Sequence, residues 1–195
     1  THDAHEALHH HPTLSRLVSK SLTSTEYQQI LLAYQSFFEG AEKQRHDLLA
    51  WNQFSLTGQL HCLGQDIREL HHFHPSGPDK LTCDSLSDSP VVIPCTTCSS
   101  SHKAAVFPWM KCQLSSLGVL YVLHGSAFGA KVISRCLRQS LPHLNHHFFS
   151  HGINRQIWKR LLDSFSELIE KEDDFERLQH SVRLTYHRFG EWVML

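Results

Sequence analysis

Apolar residues recur every three or four positions along nearly the whole chain, and nowhere do they alternate over the length of a strand. A segment with that spacing buries a single stripe only as a helix, so the chain is confined to helices packed on helices. Thr23-Ser24-Thr25-Glu26 opens the clearest segment as a capping box, with Tyr27, Ile30, Leu31, Tyr34, Phe38 and Ala41 following on one face. The helical spacing continues from Leu48 to Ile67, resumes from Leu114 to Cys136 until Pro142 ends it, and returns from Ile153 to Leu168. Asp173 and Glu176 can cap a last helix carrying Phe175, Leu178, Val182, Thr185, Phe189 and Trp192. The pattern predicts an all-α fold: one domain over 1–195, a bundle of six to eight helices. Only 74–108 loses the period, in a stretch rich in Pro, Ser, Thr and Asp with one short apolar run at Val91-Val92-Ile93, and it reads as a long loop excursion.

The 18 Lys and Arg balance 19 Asp and Glu, so no broad positive field is available for general nucleic-acid binding. With 41% hydrophobic residues the chain has enough apolar mass for a sizeable core. No secretory pattern opens it, and no uninterrupted apolar run approaches the roughly 18–20 residues of a spanning helix. The expectation is therefore a cytoplasmic protein, without a membrane segment, whose six cysteines are mostly reduced. Histidine is the outlier: 18 residues, well above ordinary usage. Imidazole is the commonest metal ligand, so a metal or a metal-bearing cofactor is a natural candidate.

The segment from Leu117 to Ile133 reads as helix yet holds Gly118, Gly125 and Gly129. Each interior Gly costs about 1 kcal/mol relative to Ala. Spacings of seven and four put all three on one stripe. Either small residues let two helices pack closely, or the helix bends and its backbone lies against a flat ligand. At the N-terminus His5 shares a helix face with Leu8 and His9, which suits a metal ligand or an ordinary packed histidine; His2, His5, His9, His10 and His11 also form a possible chelating cluster.

Together the two stretches resemble the bacterial, biliverdin-producing heme oxygenases, the kind often paired with bacteriophytochromes. Thr1, His5 and Leu8 match that family's A-T-x-x-x-H-x-x-L opening. Leu117, Gly118, Leu120, Tyr121, Val122, Gly125, Ser126, Gly129 and Ala130 match its L-G-x-L-Y-V-x-E-G-S-x-L-G-G/A motif. Arg45, Leu49 and the Leu60–Asp66 stretch, then Phe148-Phe149, Gly152 and Trp158, and then Thr185 to Trp192 are similar to further family segments in the same order. The resemblance implies heme as both prosthetic group and substrate, held between a proximal His helix and a Gly-rich distal helix. It implies cleavage to biliverdin, carbon monoxide and ferrous iron, with electrons from an external reductase or ferredoxin and a bacteriophytochrome as a possible acceptor of biliverdin. By that resemblance His5 is the proximal iron ligand and Gly125, Ser126 and Gly129 are the catalytic stretch. Tyr121, Arg155 and Lys159 join the cofactor-binding set, with Lys131 a further cation for the propionates.

His124 stands where the family pattern has Glu, and His151 where an aromatic residue is expected. His124 can point away and pack, replace a structural hydrogen bond of the Glu, or swing in as a second axial ligand. The last arrangement would make the chain a non-catalytic heme-binding or heme-sensing relative. A third reading is a helical zinc protein: Cys95-x-x-Cys98 is half a zinc site, and Cys83, Cys112, His102 and the His71-His72-His74 group could complete it.

Overall fold

The computed structural model describes residues 2–73 and 104–194, and among them there are helices and no strand. The all-α class is as expected, with nine α-helices among the described residues rather than six to eight. They are α1 (His2–His9), α2 (Pro12–Arg16), α3 (Ser24–Asp47), α4 (Thr57–Phe73), α5 (Gln113–Gly125), α6 (Ala127–Ser140), α7 (His147–Ser150), α8 (Arg155–Leu168) and α9 (Glu172–Trp192). The proposed excursion at 74–108 lies mostly outside the described residues, as do Val91-Val92-Ile93 and the Cys95-x-x-Cys98 pair.

Helix α3 starts at the expected capping box. The Thr23 hydroxyl accepts from the Glu26 N–H, and the Glu26 carboxylate accepts from the Thr23 N–H at 2.9 Å. Its stripe sits at the centre of the core, where Phe37 and Phe38 are fully buried, each contributing about 2–3 kcal/mol by leaving water.

The expected helix over 48–67 is interrupted. Leu49 and Trp51 take left-handed backbone conformations, with φ of 50° and 55°. Arg45 donates to the Ala50 carbonyl and to Asn52, both at 2.9 Å, while Glu42 accepts from the Leu56 N–H and the Ser55 hydroxyl. Buried polar partners thus override the apolar spacing and turn the chain sharply into α4. The last helix also starts a residue or two early, with the Asp174 carboxylate rather than Glu176 accepting at the cap, from the Lys171 N–H.

Within Gln113–Ser140 the most apolar 18 residues have a mean hydropathy of 1.3, enough to cross a membrane by length and composition, although polar residues interrupt the run. Half of those 18 residues are buried inside the fold, and Ser126 separates α5 from α6. α5 packs along α9, with α8 also against it. The crossing with α9 depends on Gly118: a Cβ there would lie 2.8 Å from the Ser181 Cβ and 3.2 Å from the Leu178 carbonyl. Gly118→Ala is therefore expected to destabilise the fold by about 1–3 kcal/mol despite the better helix propensity of Ala, read as a lower Tm.

Two histidines are locked into the core. His146 is fully buried, bonded to the Leu141 carbonyl at 2.9 Å and the Tyr27 hydroxyl at 3.2 Å. His124 is 5% exposed and bonded to the Phe54 carbonyl. Burial pushes both imidazoles below their ordinary value. The unfolded chain therefore binds more protons once pH falls below about 6.5, so their contribution to stability is present above that pH and lost below it. Buried Asp66 shifts upward and works in the opposite sense, so the assignment rests on variants. The Tm is expected to fall between pH 7.5 and pH 5.5, and His124→Gln combined with His146→Asn should flatten that dependence.

Candidate functional site

A cavity of about 500 Å³ opens between the N-terminal helices and the α5–α6 break. One wall is α1 and α2, with His5, Leu8, Leu14 and Val18. The opposite wall is the broken helix, with Val122, Gly125, Ser126, Gly129 and Val132. Tyr34 and Phe38 of α3 and Tyr186 and Phe189 of α9 close it on the core side.

The break has a local cause. Ser126 ends α5 and begins α6, and its hydroxyl donates to the Leu123 carbonyl at 2.7 Å. Such a bond back to the preceding turn competes with the backbone ladder and favours bending. The three glycines then divide by role. Gly118 is a packing residue on α9. Gly125 faces the cavity, and a Cβ there would stand 3.4 Å from the Trp158 ring. Gly129 also lines the cavity, and a Cβ there would meet nothing within 4 Å. No neighbour among the described residues therefore demands glycine at 129.

His5 lies edge-on to Tyr186, with ring centroids 5.7 Å apart. Burial, aided by Tyr121, pushes the Tyr186 phenol up to about 12, and burial raises Tyr34 further, so both stay neutral hydroxyls at physiological pH. Among the described residues the imidazole of His5 is the one nitrogen side chain in the lining, which is otherwise aliphatic, aromatic, glycine and two serines. An apolar slot with a single nitrogen donor on one wall and exposed helix backbone on the other can hold a flat, largely apolar ligand with a metal at its centre.

Several expected site residues are elsewhere. Tyr121 is on another face of α5, packed with Trp158 and Phe165 at centroid distances of 5.1 and 5.5 Å. Arg155 and Lys159 are exposed on α8, Lys131 is exposed on α6, and none of the three lines the cavity. Helix α8 turns its Trp158 toward α5, which leaves the flanking cations on the solvent side. His124 is likewise not a cavity residue. Its Nε2–H donates to the Phe54 carbonyl at 3.0 Å and its Nδ1 accepts from the Gln59 amide at 3.1 Å, the neutral tautomer that both bonds require. It points away and packs, lining with His151 a separate cavity of about 280 Å³.

The metal alternatives fare unevenly. Cys83, Cys95, Cys98, His74 and His102 lie outside the described residues, as do the side chains of His2 and His9. His11 is occupied at Nδ1, 3.4 Å from the Leu14 N–H at the start of α2. Asp66, Glu69 and His147 come together, but Asp66 accepts from the His147 and Phe148 N–H groups and Glu69 from Asn145 and His147. These carboxylates cap the short α7 and tie it to α4.

Sequence reading missed the walls contributed by Val18, Tyr34, Phe38, Tyr186 and Phe189. Tyr34, Phe38 and Phe189 sit on apolar stripes and looked like ordinary core, whereas Tyr186 was signalled only as an aromatic just off its stripe. Compared with known proteins, the chain significantly matches no family model, no curated protein and no solved structure.

Proposed function

We propose that the protein is a heme oxygenase that binds heme in the α1–α6 cavity and, with O₂ and an external reductant, degrades it to biliverdin, carbon monoxide and ferrous iron. One observation carries this reading: His5 stands on one wall of an apolar cavity whose facing wall holds Gly129, with open space where a side chain would be. His5 suits the iron and the apolar walls suit the macrocycle, while no cation among the described lining residues meets the propionates. When bound, heme supplies both the redox-active iron and the macrocycle that is cleaved. The chain's own part is narrower. The His5 imidazole would hold the iron, and Gly125 and Gly129 keep bulky side chains off the opposite face. The Ser126 hydroxyl, whose hydrogen goes to Leu123, keeps lone pairs that can accept from a water. Tyr34, Phe38 and Phe189 exclude bulk water from the core side. His124, held by Phe54 and Gln59, does not compete for the iron, which favours turnover over a bis-histidine heme binder.

The test is a hemin titration followed by reductant under air. A one-to-one complex whose Soret band disappears as a biliverdin band grows is expected. A persistent low-spin complex would move the protein to heme binding alone, and no stoichiometric complex would overturn the reading.

A further inference from the structure

We propose that Asp66, Glu69 and His147 form a binding site for a divalent first-row transition metal, which clamps α7 onto α4. The site lies apart from the His5 cavity and does not depend on heme. Each of the three side chains brings one ligand atom within 4.8 Å of the other two. Asp66 and Glu69 are three residues apart on α4 and so share a face, while His147 opens α7. Charge points to a cation here. Asp66 is 3% exposed, and a carboxylate taken so far out of water needs a counter-charge or a metal. Among the described residues Lys and Arg pair with Glu26, Glu42 and Glu191, but with neither Asp66 nor Glu69. The one ion-pair partner here is the His147 imidazole, 3.1 Å from Glu69. Two acids thus share at most one positive charge. The N–H groups of His147 and Phe148 hold Asp66 at 2.6 and 2.9 Å, but they bring dipoles and no net charge.

The capping bonds leave the ligand atoms usable. Each Asp66 oxygen accepts a single N–H and keeps a lone pair. Glu69 accepts from the main chain and side chain of Asn145, which aim its carboxylate without using all its lone pairs. The His147 Nε2 and Glu69 Oε1 are 3.1 Å apart. Two ligand atoms of a tetrahedral zinc site, each about 2.1 Å from the ion, stand roughly 3.4 Å apart. An ion therefore replaces the hydrogen between them with a small shift, and the imidazole carries its proton on Nδ1. Buried Asp66 is the fixed point. Glu69 and His147, partly exposed, can turn to close on an ion entering from solvent, with water in the remaining position. The imidazole nitrogen selects against magnesium and calcium, which take oxygen ligands. The consequence is mechanical. Phe148, next to His147, meets Tyr34 and Phe38 edge-on at 5.4 and 5.6 Å, and both line the His5 cavity. Metal at α7 thus braces the core-side wall of that cavity.

The test is a calorimetric titration of the chelator-stripped, hemin-free chain with zinc chloride, repeated with cobalt chloride as a visible probe. A site that depends on Glu69 and His147, a zinc-dependent rise in Tm and a cobalt spectrum without a thiolate charge-transfer band are expected. Glu69→Gln keeps an acceptor for Asn145, and His147→Gln keeps the backbone N–H on Asp66, so both variants should fold. Each should weaken zinc at least about tenfold, because losing even a hydrogen-bond partner of a metal ligand costs about that much. Each should also lose the zinc-dependent rise in Tm. A control, His10→Gln with His187→Gln, removes two exposed histidines elsewhere and should bind as wild type does. Zinc binding that both variants retain, equal loss in the control, or no rise in Tm would overturn the proposal. So would a cobalt–thiolate band that the two variants abolish, or magnesium bound as tightly as zinc.

Discussion

His5→Ala is expected to lower hemin affinity by about a hundredfold or more, equivalent to roughly 3 kcal/mol, while the thermal transition stays within about 0.5 kcal/mol of wild type. The two halves of that expectation have separate causes. His5 is exposed on a short helix, and its ring meets Tyr186 edge-on at the cavity wall rather than within the core. It is also the one nitrogen side chain among the described residues of the lining, so none of those can replace it as an iron ligand. Added imidazole should restore a five- or six-coordinate spectrum to the variant, because the cavity left by the missing ring admits it. Unchanged hemin affinity in His5→Ala, measured by absorbance titration, would separate the cavity from heme. A large fall in Tm would instead make His5 a packing residue.

What could be read from the sequence follows from how local each determinant is. The α3 cap was legible because Thr23 and Glu26 are three residues apart and satisfy each other. The break between α3 and α4 was not, because Leu48, Leu49 and Leu56 keep helical spacing while Arg45 and Glu42 turn the backbone between them. That ion pair is itself buried, and hydrogen bonds from Arg45, Ser55 and Leu56 overcome the burial of Glu42 and hold its carboxyl down at about 2. The Gly125–Gly129 stretch stood out because interior glycines break a local rule, His5 was singled out by resemblance, and the fold brings them to one cavity. Arg155, Lys159 and Tyr121 were assigned by resemblance alone, and whether a side chain on α8 or α5 faces the cavity depends on how Trp158 packs, which no local pattern encodes. His124 shows the converse. Its neighbour Gly125 lines the cavity, but one step round the helix is about 100°, enough to send the imidazole to Phe54 instead.

Gly129→Leu gives the sharpest separation of ligand from packing. Helix α6 gains a better helix former at an exposed position where even the Cβ meets no atom within 4 Å, so stability should rise by up to about 1 kcal/mol. Gly118→Ala, on the same helical stripe, should do the opposite, since its Cβ would press on Ser181 and Leu178. Because Gly129 lines the cavity between α6 and α1, the leucine would extend along that wall. Four added carbons there occupy space that a flat ligand needs and cover the backbone that the glycine exposes. Hemin affinity should fall by about tenfold or more, the scale of an overpacked contact costing 1–3 kcal/mol, and any biliverdin formation should fall at least as far. A variant that is more stable but unable to bind cannot be explained by damage to the fold. If Gly129→Leu bound and turned over hemin as wild type does, the cavity would have to hold its ligand away from α6, and the open position at 129 would lose its functional meaning.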